Sequence, residues 1–381
     1  MIGMSAVIFI PDDTAKTGYP QPLMLQSVMG APLLAWLANA LFDSGVGRFF
    51  LVCHDRYVEA ARACLPAEAE VMTTMDSDPA DLLHVFLSTA EDAEHTITVV
   101  TGPAVYLPQL APQAAGRFPR VYGVSREELM QALDEHFSFA RFLLDNGSPM
   151  NEEQAMYSVA SPAELPEIAG LLQRNRLLAL ARTGVEIYDA SSCYVEPSVR
   201  VAPGARLLPG TMLRGKTVIG EEAVIGPWSV IDDSVIGARA VVNASQVRES
   251  RVGQDAVVGP YASVRGGCEL GRSVRAGSFV ELKNARLGEN TQVPHLAYLG
   301  DTEAGANCNF GCGVATANFD RVQKHETVVG EGAFIGCNTA LIAPLQVGSG
   351  AYIGAGSTIT EDVPAQALGI ARALGIGLED A

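Results

Sequence analysis

From Val195 onward one aliphatic residue returns at every sixth position, a spacing that few folds can use. Val195, Val201, Leu207, Leu213, Ile219, Ile225 and Ile231 keep the step, with small or turn-forming residues between them. It returns at Val252, Val258, Val264, Leu270, Ala276 and Leu282, and again at Val329, Ile335, Leu341, Val347, Ile353 and Ile359. Glycine often follows the aliphatic residue, as in "IGEEAV", "VGEGAF", "IGCNTA" and "IGAGST". A period of six matches neither the 3.6-residue turn of a helix nor the two-residue alternation of a strand. It is the mark of a parallel β-helix built from hexapeptides, in which one side chain per hexad points inward and stacks on the next coil. Such a solenoid buries its apolar face only against its own neighbours. The spacing therefore predicts a β-helix over residues 191–381.

The first part of the chain is built differently. "AVIFI", "FFLVC" and "TITVVT" read as short strands, and "PLLAWLANALFDSG" as a helix ending in glycine. Strands alternating with helices predict an α/β domain with a mostly parallel sheet over residues 1–160. "SPAELPEIAGLLQRNRLLALARTG" reads as a connecting helix within 161–190, with Ser and Pro before the apolar run and Gly after it. A formal net charge of -17 argues against nucleic acid or an anionic membrane surface as a partner, and leaves room for a local basic pocket that takes phosphate. No stretch approaches the ~18 uninterrupted apolar residues of a membrane helix, and "MIGMSAVIFIPDD" lacks the basic flank and cleavage site of a secretory signal. Seven scattered cysteines, of which Cys308 and Cys312 lack zinc-site pairing, read as reduced core residues of a cytoplasmic protein.

The hexad register fails twice in the second half, at "ELKNARLGENTQVPHLAYLGD" and at "VATANFDRVQKHET". Insertions in a solenoid collect on one face, often the binding face. A lone His is more often structural than catalytic, and a lone Lys is usually a solvated charge. These do not stand alone: Arg265, Lys283, Tyr298 and Lys324 form a set of donors suited to phosphate, with His295 and Glu281 close by in sequence.

These segments carry a family resemblance. "HLAYLGD", "NCNFGCGVATANFD" and the following Lys324 occur in the order and spacing of the acetyltransferase domain of the bifunctional N-acetylglucosamine-1-phosphate uridyltransferase and glucosamine-1-phosphate acetyltransferase family. The chain resembles that family from about residue 195 to 372. The resemblance implies a nucleotidyltransferase-like α/β domain followed by a left-handed β-helix, acting in UDP-N-acetylglucosamine biosynthesis. It implies transfer of acetyl from acetyl-CoA to the amine of glucosamine 1-phosphate, by a homotrimer with active sites between neighbouring β-helices. By position, His295 matches the general base, which a group of pKa near 6.5 suits, and Glu281 a residue that orients or charge-balances it. Arg265, Lys283, Tyr298 and Lys324 match sugar-phosphate contacts, and Asn309 and Asn318 contacts to the sugar and its amine. Cys337, Ala355 and Arg372 match the acetyl-CoA groove. This half-reaction implies no metal.

Several departures from the family bear on these expectations. Cys337 stands where the family has Ser, and Phe319 where it has Tyr. The basic, Trp-containing tail has no counterpart after Arg372, which implies weaker CoA binding. The glycine-rich loop L-x-A-G-x-G-T-R-M, expected after the first strand, reads "VIFIPDDTAKTGYPQPL", with Asp12 and Asp13 where phosphates would lie. The phosphate-contacting Pro-Lys is Pro20-Gln21, Pro103 occupies the position of a magnesium-binding Asp, and the second metal-binding Asn has no equivalent in "YSVASPAEL". Magnesium belongs to this domain only if it is active, and these losses imply that uridyl transfer is gone. Two alternatives remain open: an acyltransferase with another amino-sugar acceptor, and a non-catalytic binder of sugar phosphate or nucleotide sugar.

Overall fold

The computed structural model describes residues 4–75, 79–90, 95–110, 120–134, 139–150 and 155–371. The chain divides into two compact units, residues 1–179 with 196–198, and 180–195 with 199–381.

The first unit is built on a six-stranded sheet in the order Glu70–Thr74, Arg48–Cys53, Ser5–Ile10, Thr96–Val100, Val121–Ser125, Ser148–Met150. The first four strands run parallel, Val121–Ser125 runs against them, and Ser148–Met150 pairs antiparallel with Val121–Ser125. Successive side chains on a strand point to opposite faces, so Val7 and Phe50 enter one apolar cluster while Ile8 and Phe49 enter the other. The helix Leu33–Asp43 covers the second of these faces through Leu33, Leu34, Trp36 and Leu37. "AVIFI", "FFLVC" and "TITVVT" all lie in strands, as the sequence predicts. The antiparallel pair Ala104–Tyr106 and Met156–Ser158 is an addition that its short apolar runs did not announce. The connecting helix runs Leu165–Arg182.

The second unit is a left-handed parallel β-helix. One sheet of eleven strands forms one face of the coil, and a sheet of seventeen strands carries the rest. Val195, Leu213, Ile231, Val247, Val264, Leu282 and Leu299 form one interior column, each paired in register with the next. All seven are fully buried. Burying a side chain of this size is worth roughly 1.5–3 kcal/mol, and the hexad repeats that gain along the axis. Of the hexad positions read from the sequence, only Val201 is merely half-buried.

Between Ile231 and Val252 the interior seats are Ile236, Val242 and Val247, so some steps shorten to five. Serine hydroxyls make up for the shortened corners. Ser245 donates through Oγ to the Asn243 carbonyl at 2.7 Å and accepts from the Ala262 amide at 3.0 Å. Ser250 does the same with the Arg248 carbonyl at 2.7 Å and the Cys268 amide at 3.2 Å. A buried backbone group left unpaired costs free energy, and these side chains supply the missing partners.

The two breaks are different objects. The first is no loop: Glu281–Leu287 and Tyr298–Ala304 are seven-residue strands that keep their pairing around a corner, where Asn284 and Asp301 take left-handed φ of 49° and 48°. The second does extrude a loop: Thr316 pairs onto Leu341, and residues 318–325 leave the coil before Thr327–Val329 resumes it.

Candidate active site

These two long strands set up a polar outer face. Glu281 lies between Ser263 and Tyr298 on neighbouring coils, and Lys283 between Arg265 and Gly300. With Leu282 and Leu299 turned inward, alternation sends Glu281, Lys283 and Tyr298 outward. Arg265 pairs with the Glu281 carboxylate. The Lys324 ammonium meets that of Lys283, and with Arg265 nearby holds Lys283 below the usual lysine range. Asp301 accepts from the Asn284 amide at 2.7 Å and from the amide of the nearly buried Asn318.

Lys324 reaches this face because its loop is pinned. Asp320 accepts from the amides of Val322 and Gln323 at 2.7 and 2.8 Å and meets the His325 ring at 2.7 Å. Those donors hold the Asp320 carboxyl well below the usual carboxylate range. The loop base closes through the His325 amide on the Asn318 carbonyl at 2.8 Å and a bridge between Phe319 and Lys324.

Gly300 is the floor of the patch. A Cβ there would lie 2.4 Å from the Tyr298 hydroxyl and 2.7 Å from the Asn318 amide nitrogen. Gly300→Ala is expected to push both groups aside and to raise KM for an anionic acceptor about tenfold or more, with the fold retained. Unchanged KM would show that Tyr298 and Asn318 do not touch the acceptor.

His295 stands one corner away, exposed, with Ser278 as its partner on the preceding coil. Counting on from the pairs Gln292–Asn309 and Tyr298–Ala315 places it opposite Cys312. The Asn338 amide donates to the Cys312 carbonyl at 2.7 Å, and the Gly356 amide to the Cys337 carbonyl at 2.8 Å. Ser278, His295, Cys312, Cys337 and Ala355 therefore form one corner column, which joins the candidate base to two of the groove positions. Asn309 sits on the other side of that corner, between Gln292 and Phe334. The His295 side chain makes no hydrogen bond among the described residues, and Glu281, expected to support it, is engaged by Arg265. Arg372 lies outside the described residues. Cys312 had no place among the sequence candidates; its sign was the parallel between "GCG" and "GCN" on successive coils.

The loop after the first strand of the α/β unit is filled from within. The Asp13 carbonyl accepts from the Lys16 and Thr17 amides at 2.9 and 3.0 Å, and its carboxylate from the Leu23 amide at 2.9 Å. Asp12 accepts the Thr14 hydroxyl at 2.7 Å and pairs with Arg56. Amides that could cradle a phosphate are thus already occupied. The residues do not fit a magnesium ion either: Asp12 is engaged, and Pro103 brings no side-chain oxygen, its carbonyl accepting from Val159 at 2.9 Å.

A family model described as "Bacterial transferase hexapeptide (six repeats)" matches residues 326–361. The chain is 41% identical over 227 residues to the bifunctional protein GlmU of Clostridium perfringens, covering 60% of this chain and 50% of that protein. It is 42% identical over 231 residues to GlmU of Carboxydothermus hydrogenoformans, covering 61% and 52%. Over the matched residues the chain is similar to the GlmU proteins. It spans about half the length of the GlmU proteins it matches. GlmU of Brevibacillus brevis is similar at 44% identity over 209 residues, 55% of this chain and 45% of that protein. Among solved structures, an inositol-1-phosphate CTP transferase from T. maritima is 12% identical with a TM-score of 0.35, covering 46% of this chain and 97% of that one. A Francisella novicida UDP-N-acetylglucosamine acyltransferase is 19% identical with a TM-score of 0.25, covering 48% and 65%. No described helix is long and apolar enough to cross a membrane.

Proposed function

We propose that the β-helix transfers acetyl from acetyl-CoA to the amine of glucosamine 1-phosphate, as its likeness to the GlmU proteins implies. One observation carries the reading. Lys283 and Lys324 are held against each other beside Arg265, and a bound anion would relieve that repulsion. The phosphate of the acceptor sits there, with the Tyr298 hydroxyl and Asn318 amide reaching its sugar and Asn309 approaching from across the corner. The amine then lies toward the corner column. His295 removes its proton as nitrogen attacks the thioester carbonyl, and the thiolate of CoA leaves along Cys337 and Ala355.

Release of CoA thiol from acetyl-CoA, with and without glucosamine 1-phosphate and without added magnesium, tests the reading directly. Acceptor-dependent release is expected. Release only with a different amino sugar would move the assignment to that acceptor, and sugar-phosphate binding without release would make the chain a binder. Because Lys283 titrates below an ordinary lysine, a phosphate that favours its charged form binds more tightly as pH falls through that lowered value. Affinity measured calorimetrically is expected to weaken as pH climbs into the alkaline range, earlier than in a Lys324→Ala variant. Identical pH dependence in the two proteins would remove the lysine pair from the site.

The same reading includes a homotrimer. Trp228, Tyr261, Phe279 and Leu296 are 71%, 63%, 61% and 58% exposed along one line of corners, with Ala244 between the first two, and Phe279 and Leu296 directly follow Ser278 and His295. Tyr261 and Phe279 stack with ring centroids 5.3 Å apart. Apolar side chains ranked so closely beside the column suit a second copy that covers them and completes the site. Light scattering at micromolar concentration is expected to give three times the chain mass; a monomer would refute the assembly. Uridyl transfer falls outside the proposal, since the first loop of the α/β unit is closed upon itself.

A further inference from the structure

Two thiols occupy consecutive seats of the corner column. Phe310 pairs with Ile335, and a Cβ on Gly311 would lie 2.6 Å from the Cys337 amide nitrogen. A Cβ on Gly313 would lie 2.2 Å from the Asn338 side-chain oxygen. Residues 311 and 313 therefore sit on the coil above against 336–338, and Cys312 faces Cys337 in register. Neighbouring strands lie roughly 4.8 Å apart, within the ~4.4–6.8 Å between Cα atoms that a disulfide spans. Being in register, the two side chains leave the coil on the same side. Cys337 is exposed and Cys312 half-buried.

The other cysteines of this unit are placed differently. Cys193, Cys268 and Cys308 are buried. The Cys268 thiol donates to the Arg265 carbonyl at 3.1 Å and the Cys308 thiol to the Gly330 carbonyl at 3.1 Å. Burial pushes both thiols up, away from the thiolate that reacts. Cys308, though close to Cys312 in sequence, is thus on the inner side of the coil and removed from this chemistry.

We propose that Cys312 and Cys337 form an oxidation site for low-molecular-weight disulfides, closing an intramolecular bridge between consecutive coils. The exposed Cys337 thiolate attacks one sulfur of the incoming disulfide, the first small thiolate leaves, and a mixed disulfide remains on Cys337. The Cys312 thiolate then attacks the Cys337 sulfur and expels the second small thiol. Two electrons and two protons pass to the reagent, and the chain becomes lighter by two hydrogen atoms. The bridge lies across the corner next to His295. On the acetyltransferase reading it also crosses the groove where the thiol of CoA departs, so disulfides of that product belong to the same reagent class.

The test does not depend on that reading. Full-length protein is incubated with oxidised glutathione, its remaining thiols are alkylated with iodoacetamide, and its peptides are weighed with and without dithiothreitol. The expected result is a cross-link between the peptides bearing Cys312 and Cys337, reversed by dithiothreitol, while Cys268 and Cys308 stay unbridged. Cys312→Ser is expected to leave glutathione attached to Cys337, which traps the intermediate. Alkylation of both cysteines in the treated protein, glutathione on Cys337 of the unaltered chain without closure, or a bridge between two chains would each overturn the proposal. Loss of acetyl transfer in the bridged protein would extend it; an inactive protein that still bridges would leave it standing and sink only the acetyltransferase reading.

Discussion

Replacing His295 with alanine is expected to slow acetyl transfer by ~10²–10⁴-fold, the range that a positioned general base supplies, while glucosamine 1-phosphate still binds. The split follows from where the groups stand. The cations proposed to meet phosphate are Arg265 and Lys283 on one sheet face and Lys324 on the loop that reaches it, whereas His295 lies beyond the corner at the end of Gln292–His295. Removing an exposed imidazole with no hydrogen bond among the described residues leaves no buried partner unpaired, so stability should hardly change. His295→Asn, which keeps polarity but cannot take up a proton near neutral pH, should be as slow as alanine. Binding that fails together with turnover would show that His295 holds the acceptor; near-normal turnover would place the base elsewhere.

The same geometry explains what could be read in advance and what could not. The hexads were legible because an inward seat tolerates only an apolar side chain, and Val264, Leu282 and Ile335 mark their seats unaided. Ile236 and Val247 were not, because a serine hydroxyl can stand in for a missing backbone partner, and that exchange leaves no periodic trace. Arg265, Lys283, Tyr298 and Lys324 were legible as donors that a solenoid has no structural use for. Their convergence was not, since it depends on the register that sets Arg265 against Lys283 and Glu281 against Tyr298, and on Asp320 pinning a loop. The partnership of Glu281 with His295 was what the family resemblance implied; in space a corner intervenes and Arg265 takes the carboxylate. The facing of Cys312 and Cys337 was hidden for a related reason, since the extruded loop stretches the sequence between them and conceals that they are neighbours.

Phe310→Ala tests how the column is held in place. Phe310 is fully buried and is the one phenylalanine among the largest fully buried side chains of the β-helix. It pairs with Ile335, and the Gly311 amide that follows donates to the Ile335 carbonyl at 2.8 Å. The ring therefore fills the interior beneath the corner that carries Cys312, one coil from His295 and one from Cys337. Truncating a buried Phe to Ala costs about 3–5 kcal/mol where the cavity cannot collapse, and a coil fixed by backbone hydrogen bonds above and below has little room to do so. Because a solenoid is stabilised by nearest-neighbour contacts, the loss should concentrate in the coils around Phe310. Amide exchange should quicken around residues 293–341, and change little near Leu213, several coils away. Acetyl transfer should fall with it, as His295 and Cys337 lose their common register. Phe310→Leu, which restores most of the volume, should recover most of both. A denaturation midpoint near that of the unaltered protein would mean that neighbouring coils repack over the gap, and that the corner is held by its backbone ladder rather than by the ring beneath it.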